Sequence, residues 1–103
     1  MNNLGITTDI HQQIINVISS FNYISRAVVF GSRAIGTYKK YSDIDICLFG
    51  ELNTFDTEHV RTILNDLNII YEFDVICYHE IKTPPLRDHI DRVGKEIYQR
   101  KLT

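Results

Sequence analysis

The sequence predicts an α/β fold, a small mixed β-sheet with helices packed against it. Three observations predict it. Segments with helical apolar spacing alternate along the chain with short runs of strand formers. The 103 residues suffice for one hydrophobic core and are too few for two. A composition of 44% hydrophobic, 11% aromatic and 23% charged residues is that of an ordinary globular protein, which excludes disordered, collagen-like and low-complexity chains. Residues 1–103 are accordingly read as a single domain.

Thr7 and Thr8 precede Asp9, and Ile10, Ile14, Val17, Ile18 and Phe21 then recur at helical spacing, which predicts a capped amphipathic helix from about residue 8 to 21. Arg26–Phe30 ends in Val28, Val29 and Phe30, all strong strand formers, and Gly31-Ser32 closes this first strand and opens a short helix. Asp43–Phe49 begins with period-two alternation and stops at Gly50, the second strand. Asn53 or Thr54 can cap a helix that carries Phe55, Val60, Ile63, Leu64 and Leu67. Ile69–Tyr78, rich in Ile, Val, Tyr and Phe, reads as a third strand interrupted by Glu72 and Asp74. Pro84-Pro85 then punctuates the chain. Short helices are expected over Leu86–Arg92 and Lys95–Lys101, with Gly94 as the break and Ile90, Val93, Ile97, Tyr98 and Leu102 available for packing.

Eleven Lys and Arg against thirteen Asp and Glu leave a net charge of −2. A protein that grips a long nucleic acid carries a basic excess that neutralises phosphates, so no long nucleic acid is expected and any nucleotide handled is small. Met1–Ile10 has no basic or apolar leader pattern, and apolar runs such as Ala27–Phe30 fall far short of the ~18 residues of a membrane helix. The expectation is a cytoplasmic protein with no membrane partner. Cys47 and Cys77 lie in apolar segments without Cys-x-x-Cys spacing and read as buried free thiols.

Side chains alternate along a strand, so Asp43 and Asp45 project from one side and Ile44 and Ile46 from the other. Adjacent like charges are unfavourable unless cations sit between them. A pair of divalent ions about 3.5–4 Å apart is the usual partner in phosphoryl and nucleotidyl transfer, and hard oxygen ligands suit Mg²⁺ or Mn²⁺. The alternative is a pair of solvated aspartates at a strand end. Asp74, flanked by Phe73, Val75 and Ile76, needs a partner if buried, either the same metals or an ion pair with Arg26 or Arg33. Gly31-Ser32-Arg33 offers backbone N–H groups and a hydroxyl to a phosphate, or is a plain helix cap. Arg33 fits either a phosphate clamp or the scaffold, and Lys39 and Lys40 read as solvated. Clustered aspartates would also suit a metal-dependent phosphohydrolase. No His accompanies them in sequence, however: His11, His59, His79 and His89 read as helix or loop surface, and His79, close to the third strand, is the one worth testing. If the three aspartates share a face, Cys47 lies on that face and Cys77 on the opposite one, and the two form no disulfide.

The combination is more specific than its parts: a strand, Gly-Ser, Asp-x-Asp about a dozen residues later and a third Asp on another strand. It resembles the nucleotidyltransferase superfamily typified by DNA polymerase β. Val29-Phe30-Gly31-Ser32-Arg33-Ala34 with Gly36, then Ser42-Asp43-Ile44-Asp45-Ile46, looks like the minimal nucleotidyltransferases (MNT) of bacteria and archaea. The resemblance extends to Phe73-Asp74-Val75 and from Ile90 through Gly94 to Ile97-Tyr98, essentially the whole chain. One departure is Ile35, where many members carry Arg.

The resemblance implies a nucleotidyltransferase fold and a nucleoside triphosphate substrate, ATP, with two Mg²⁺ ions or Mn²⁺ in their place. Asp43, Asp45 and Asp74 would be the catalytic and metal-binding residues, and Gly31, Ser32 and Arg33 the nucleotide-binding ones. The α-phosphorus would be attacked, pyrophosphate would leave, and AMP would pass to a protein hydroxyl. The short chain leaves no room for an acceptor-binding domain. The family implies that a helical HEPN protein, often a toxic ribonuclease, supplies the acceptor tyrosine and that the MNT protein is its antitoxin. A homodimer or a larger assembly with that partner follows by the same analogy. Ile35 motivates the alternative, a nucleotide-binding or antitoxin module that acts by complex formation with a HEPN protein and has little catalysis alone.

Overall fold

Thr7 starts the first helix: its hydroxyl accepts the N–H of Ile10 at 3.2 Å, and α1 (Thr8–Ser19) follows with Ile14 and Ile18 buried. The structure, a computed structural model, describes residues 4–101, so Leu102 lies outside the described residues. Strand β1 (Ile24–Phe30) leads through Gly31 into the four-residue helix α2 (Ser32–Ile35). After an irregular loop comes β2 (Ile44–Gly50). Asn53 and Asp56 then form a reciprocal capping box that opens α3 (Thr54–Asn65). Strand β3 (Phe73–Cys77) passes into a 3-10 turn at Tyr78–Glu80, and α4 (Pro84–Val93) and β4 (Lys95–Gln99) are the last elements among the described residues.

Among the described residues, four strands form one mixed sheet in the order β3-β2-β1-β4. β1 runs antiparallel to both β2 and β4, whereas β2 and β3 are parallel, an arrangement that needs a crossover, here supplied by α3. One sheet face presents Ala27, Val29, Ile44, Ile46, Leu48, Phe73, Val75 and Cys77 to the larger core, closed by α1 and α3. The other presents Val28, Phe30 and Cys47, over which α4 lays Ile90 and the half-buried Leu86. Cys47 and Cys77 are thus free, buried and on opposite faces, as strand parity requires. No helix among the described residues is long and apolar enough to cross a membrane.

Several expectations are corrected. Lys95–Gln99 is a strand, not a helix. Gly94 ends α4 by donating to the Ile90 carbonyl at 2.9 Å, and the residues beyond pair with the open edge of β1, matching Ala27 with Tyr98 and Val28 with Glu96. Five residues carry too little periodicity to separate helix from strand, and unpaired backbone groups on β1 decide the matter. Pro84-Pro85 starts α4 instead of preceding it, since proline is tolerated where a helix has no N–H bond to lose. The third strand is limited to Phe73–Cys77, with Ile69–Glu72 irregular. Phe55 is 83% exposed and lies outside the core. Asp43 stands just before β2, not inside the strand.

Candidate functional site

The site lies where β1 ends and β2 and β3 begin. At Gly31 the backbone turns with φ 73° and ψ −153°, a region that side chains disfavour. A Cβ placed there would also run into the Asp45 carboxylate, so glycine is required twice over. Cross-strand register then gathers the acids. Asp45 is the partner of Phe30 on one side and of Asp74 on the other, which puts the last two carboxylates side by side on adjacent parallel strands. Asp43 precedes Asp45 by one alternation.

Electrostatics report the crowding. Asp45 is half-buried, and its carboxyl is held above the usual carboxylate range by burial first, then by the negative charges of Asp74 and Asp43. No Lys or Arg among the described residues pairs with any of the three. Arg26 is committed to Glu96 at 2.6 Å. Asp74 is exposed, not enclosed among its apolar neighbours, because the strand turns Phe73 and Val75 inward and leaves Asp74 outward.

Two devices away from the carboxylates fix their backbones. The Asn65 side chain accepts the Phe73 N–H at 2.9 Å and donates to the Phe73 carbonyl at 3.1 Å, so the end of α3 holds the start of β3 beside Asp74. Arg33 does the same for Asp43. It is 1% exposed, donates to the carbonyl of Ser42 from Nε (3.2 Å) and one terminal nitrogen (2.8 Å), and donates from the other to the carbonyls of Leu4 (2.8 Å) and Gly5 (3.3 Å). Tyr38 and Tyr71 cover it at 5.0 and 4.5 Å. The Arg33 guanidinium is therefore spent on loop carbonyls inside the protein and forms no ion pair with Asp74, which leaves its backbone N–H as the group it can offer a ligand.

Ser32 has the opposite disposition. Its hydroxyl and its N–H, together with the N–H of Arg33, have no hydrogen-bond partner among the described residues, whereas the N–H groups of Ala34 and Ile35 return to the Gly31 carbonyl. Successive free N–H groups beside a hydroxyl make a concave donor set for an anion. The Gly31 N–H is not part of it. It donates to Nε2 of His89 at 3.1 Å, and the imidazole stands edge-on to Phe30 at 6.1 Å. Sequence reasoning missed His89 and favoured His79, whose Nε2 contacts the Leu52 carbonyl at 2.7 Å instead. The only signal for His89 was indirect, the packing of a fourth helix on the carboxylate face.

Three carboxylates with no cationic partner are the donor chemistry of a hard divalent ion. Their side chains are not drawn together around one: no three His, Cys, Asp or Glu among the described residues are gathered closely enough to enclose a metal. The backbone register pairs Asp45 with Asp74 on adjacent strands, and by the chemistry of this donor set the residues fit the group. Ile35 ends α2 with its side chain 53% exposed.

Residues 12–103 match the family described as "Polymerase beta, Nucleotidyltransferase". No curated protein gives a match. Among solved structures, the chain is similar to a toxin–antitoxin complex with AMP-PNP, at 20% identity over 88% of this chain and 74% of that one, with a TM-score of 0.73. It is also similar to a tri-AMPylated Shewanella oneidensis HEPN toxin in complex with its MNT antitoxin, at 16% identity over 92% and 74% of the two chains and a TM-score of 0.71. A Sulfolobus solfataricus protein named as a candidate nucleotidyltransferase aligns at 25% identity over 89% and 79%, with a TM-score of 0.59.

Proposed function

The chain belongs to the polymerase beta nucleotidyltransferase family, and from that premise we propose that it transfers AMP from ATP to a protein hydroxyl, a tyrosine of a HEPN-domain partner, acting as that partner's antitoxin. The observation that carries the transferase reading is the register of Asp45 with Asp74, one alternation from Asp43 and beside the free donors of Ser32. Support for the acceptor comes from the structural neighbours, one an AMPylated HEPN toxin bound to an MNT antitoxin and another a toxin–antitoxin complex with AMP-PNP.

Each part of the chain has a task in this reaction. The Ser32 hydroxyl and the N–H groups of Ser32 and Arg33 bind the β- and γ-phosphate oxygens and orient the triphosphate. Asp43, Asp45 and Asp74 would hold Mg²⁺, which when bound supplies charge neutralisation at the attacking and leaving oxygens. Asp74, on the exposed edge strand, lies on the side from which a hydroxyl can approach, and its carboxylate takes the proton from it. The acceptor oxygen forms its bond to the α-phosphorus, the α–β phosphoanhydride bond breaks, and pyrophosphate departs. Labelled ATP, Mg²⁺ and the HEPN partner are expected to give a labelled partner. Asp43→Ala with Asp45→Ala should lower the rate at least about 100-fold, a typical cost of removing a charge-stabilising group. Equal labelling by that double variant would overturn the reading.

A second reading has its own observation. Ile35 presents an exposed aliphatic side chain at the end of α2, where a charged residue would contribute to phosphate binding. In this reading the chain neutralises its HEPN partner by association and binds nucleotide weakly. Calorimetry with ATP and Mg²⁺ separates the two: a micromolar isotherm supports the enzyme, and HEPN inhibition without nucleotide binding supports the module.

A further inference from the structure

The elbow after β1 divides its donors between two recipients. The Gly31 N–H is taken by His89, while the next two, of Ser32 and Arg33, are left free. A backbone N–H can only donate, so Nε2 of His89 is the acceptor in this bond. The imidazole is half-buried, stands edge-on to Phe30 at 81°, and rides on α4 next to Ile90, the residue that anchors this helix in the second core. Gly31 has the widest conformational freedom of any residue type and sits at positive φ, so its peptide plane needs an external hold. The hydrogen bond from α4 provides it. Rotation of that plane would swing the following N–H groups and the Ser32 hydroxyl away from the carboxylates.

Resting on the nucleotidyl-transfer reading above, we infer that His89 is a positioning residue for the nucleotide: it fixes the Gly31 peptide from the α4 side and so aims the Ser32 and Arg33 donors at the triphosphate. It touches neither substrate nor metal in this role. An acceptor atom at this point is what matters, and glutamine can supply one where leucine cannot.

The test uses the full chain as wild type, His89→Leu and His89→Gln, each checked for folding by circular dichroism. Amide hydrogen exchange without nucleotide reads the hold on Gly31, with Val29 in β1 as the internal reference. Calorimetry with ATP and Mg²⁺ reads the aim of the donors. His89→Leu is expected to speed exchange at Gly31 about tenfold with Val29 unchanged, and to weaken nucleotide binding about three- to tenfold, the worth of one hydrogen bond. His89→Gln should recover most of both. Unchanged affinity in His89→Leu overturns the inference while leaving the function standing, and tighter binding overturns it by making the imidazole an obstruction. Wild-type protein that binds no nucleotide overturns the function as well, whatever Gly31 exchange shows.

Discussion

Asp45 combines half-burial with two acidic neighbours, and the sign of the resulting stability effect follows from its raised carboxyl. The folded chain takes up this proton more readily than the unfolded chain does. Ionisation of Asp45 therefore costs stability above its folded pKa, and the cost fades as pH falls through the carboxylate range. Asp45→Asn should accordingly raise the unfolding midpoint at neutral pH and lose that advantage near about pH 4, while abolishing transfer; melts at the two pH values check it, and a destabilised variant at neutral pH would contradict it. Arg33 is the reverse case. Arg33→Met should cost about 3 kcal/mol or more in urea unfolding, because the carbonyls of Leu4 and Ser42 lose a buried charged donor. At this scale the sequence displays Gly31, Ser32, Asp43, Asp45 and Asp74, since their spacing within or between strands is short-range or compositional. It does not display the task of Arg33, whose partners are loop carbonyls without a side-chain signature. Nor does it display His89, whose partner is a backbone N–H 58 residues away.

Elements place these residues through their ends. The side chain that closes α3, Asn65, holds both backbone groups of Phe73, and the Ile44 N–H reaches the Glu72 carbonyl at 2.9 Å, so the starts of β2 and β3 are tied across the carboxylate pair. Asn65→Ala is expected to cost about 1–3 kcal/mol, from one buried N–H and one carbonyl losing their partners. It should also lower transfer several-fold with every acid intact; calorimetric unfolding and the labelling assay check the two parts, and a variant that loses stability but no activity would show that β3 holds its register unaided. Helices α1 and α3 and strands β1 and β2 are legible because caps and apolar periods run long enough to agree. β4 is not, since its five residues take their conformation from the open edge of β1.

Across the whole molecule the sheet is a partition. Burial pushes the Cys47 thiol up to about 12 and raises that of Cys77 as well, and the two sit in different cores. Neither is a thiolate at neutral pH, so both should react with a thiol reagent only as fast as the chain unfolds, and at once in denaturant. Mild oxidant should leave them unlinked; rapid native labelling at either position would contradict this partition. Strand parity makes the separation readable from sequence, whereas the order β3-β2-β1-β4 is not, because a parallel or antiparallel choice leaves no mark on alternation. The crossover between β2 and β3 carries a practical consequence. A cut in the turn between α3 and β3 leaves Gly31, Asp43 and Asp45 on one fragment and Asp74 and His89 on the other. The parallel pair would then form only when the fragments reassemble, which makes this fold a natural candidate for a split reporter whose signal depends on two tethered halves meeting.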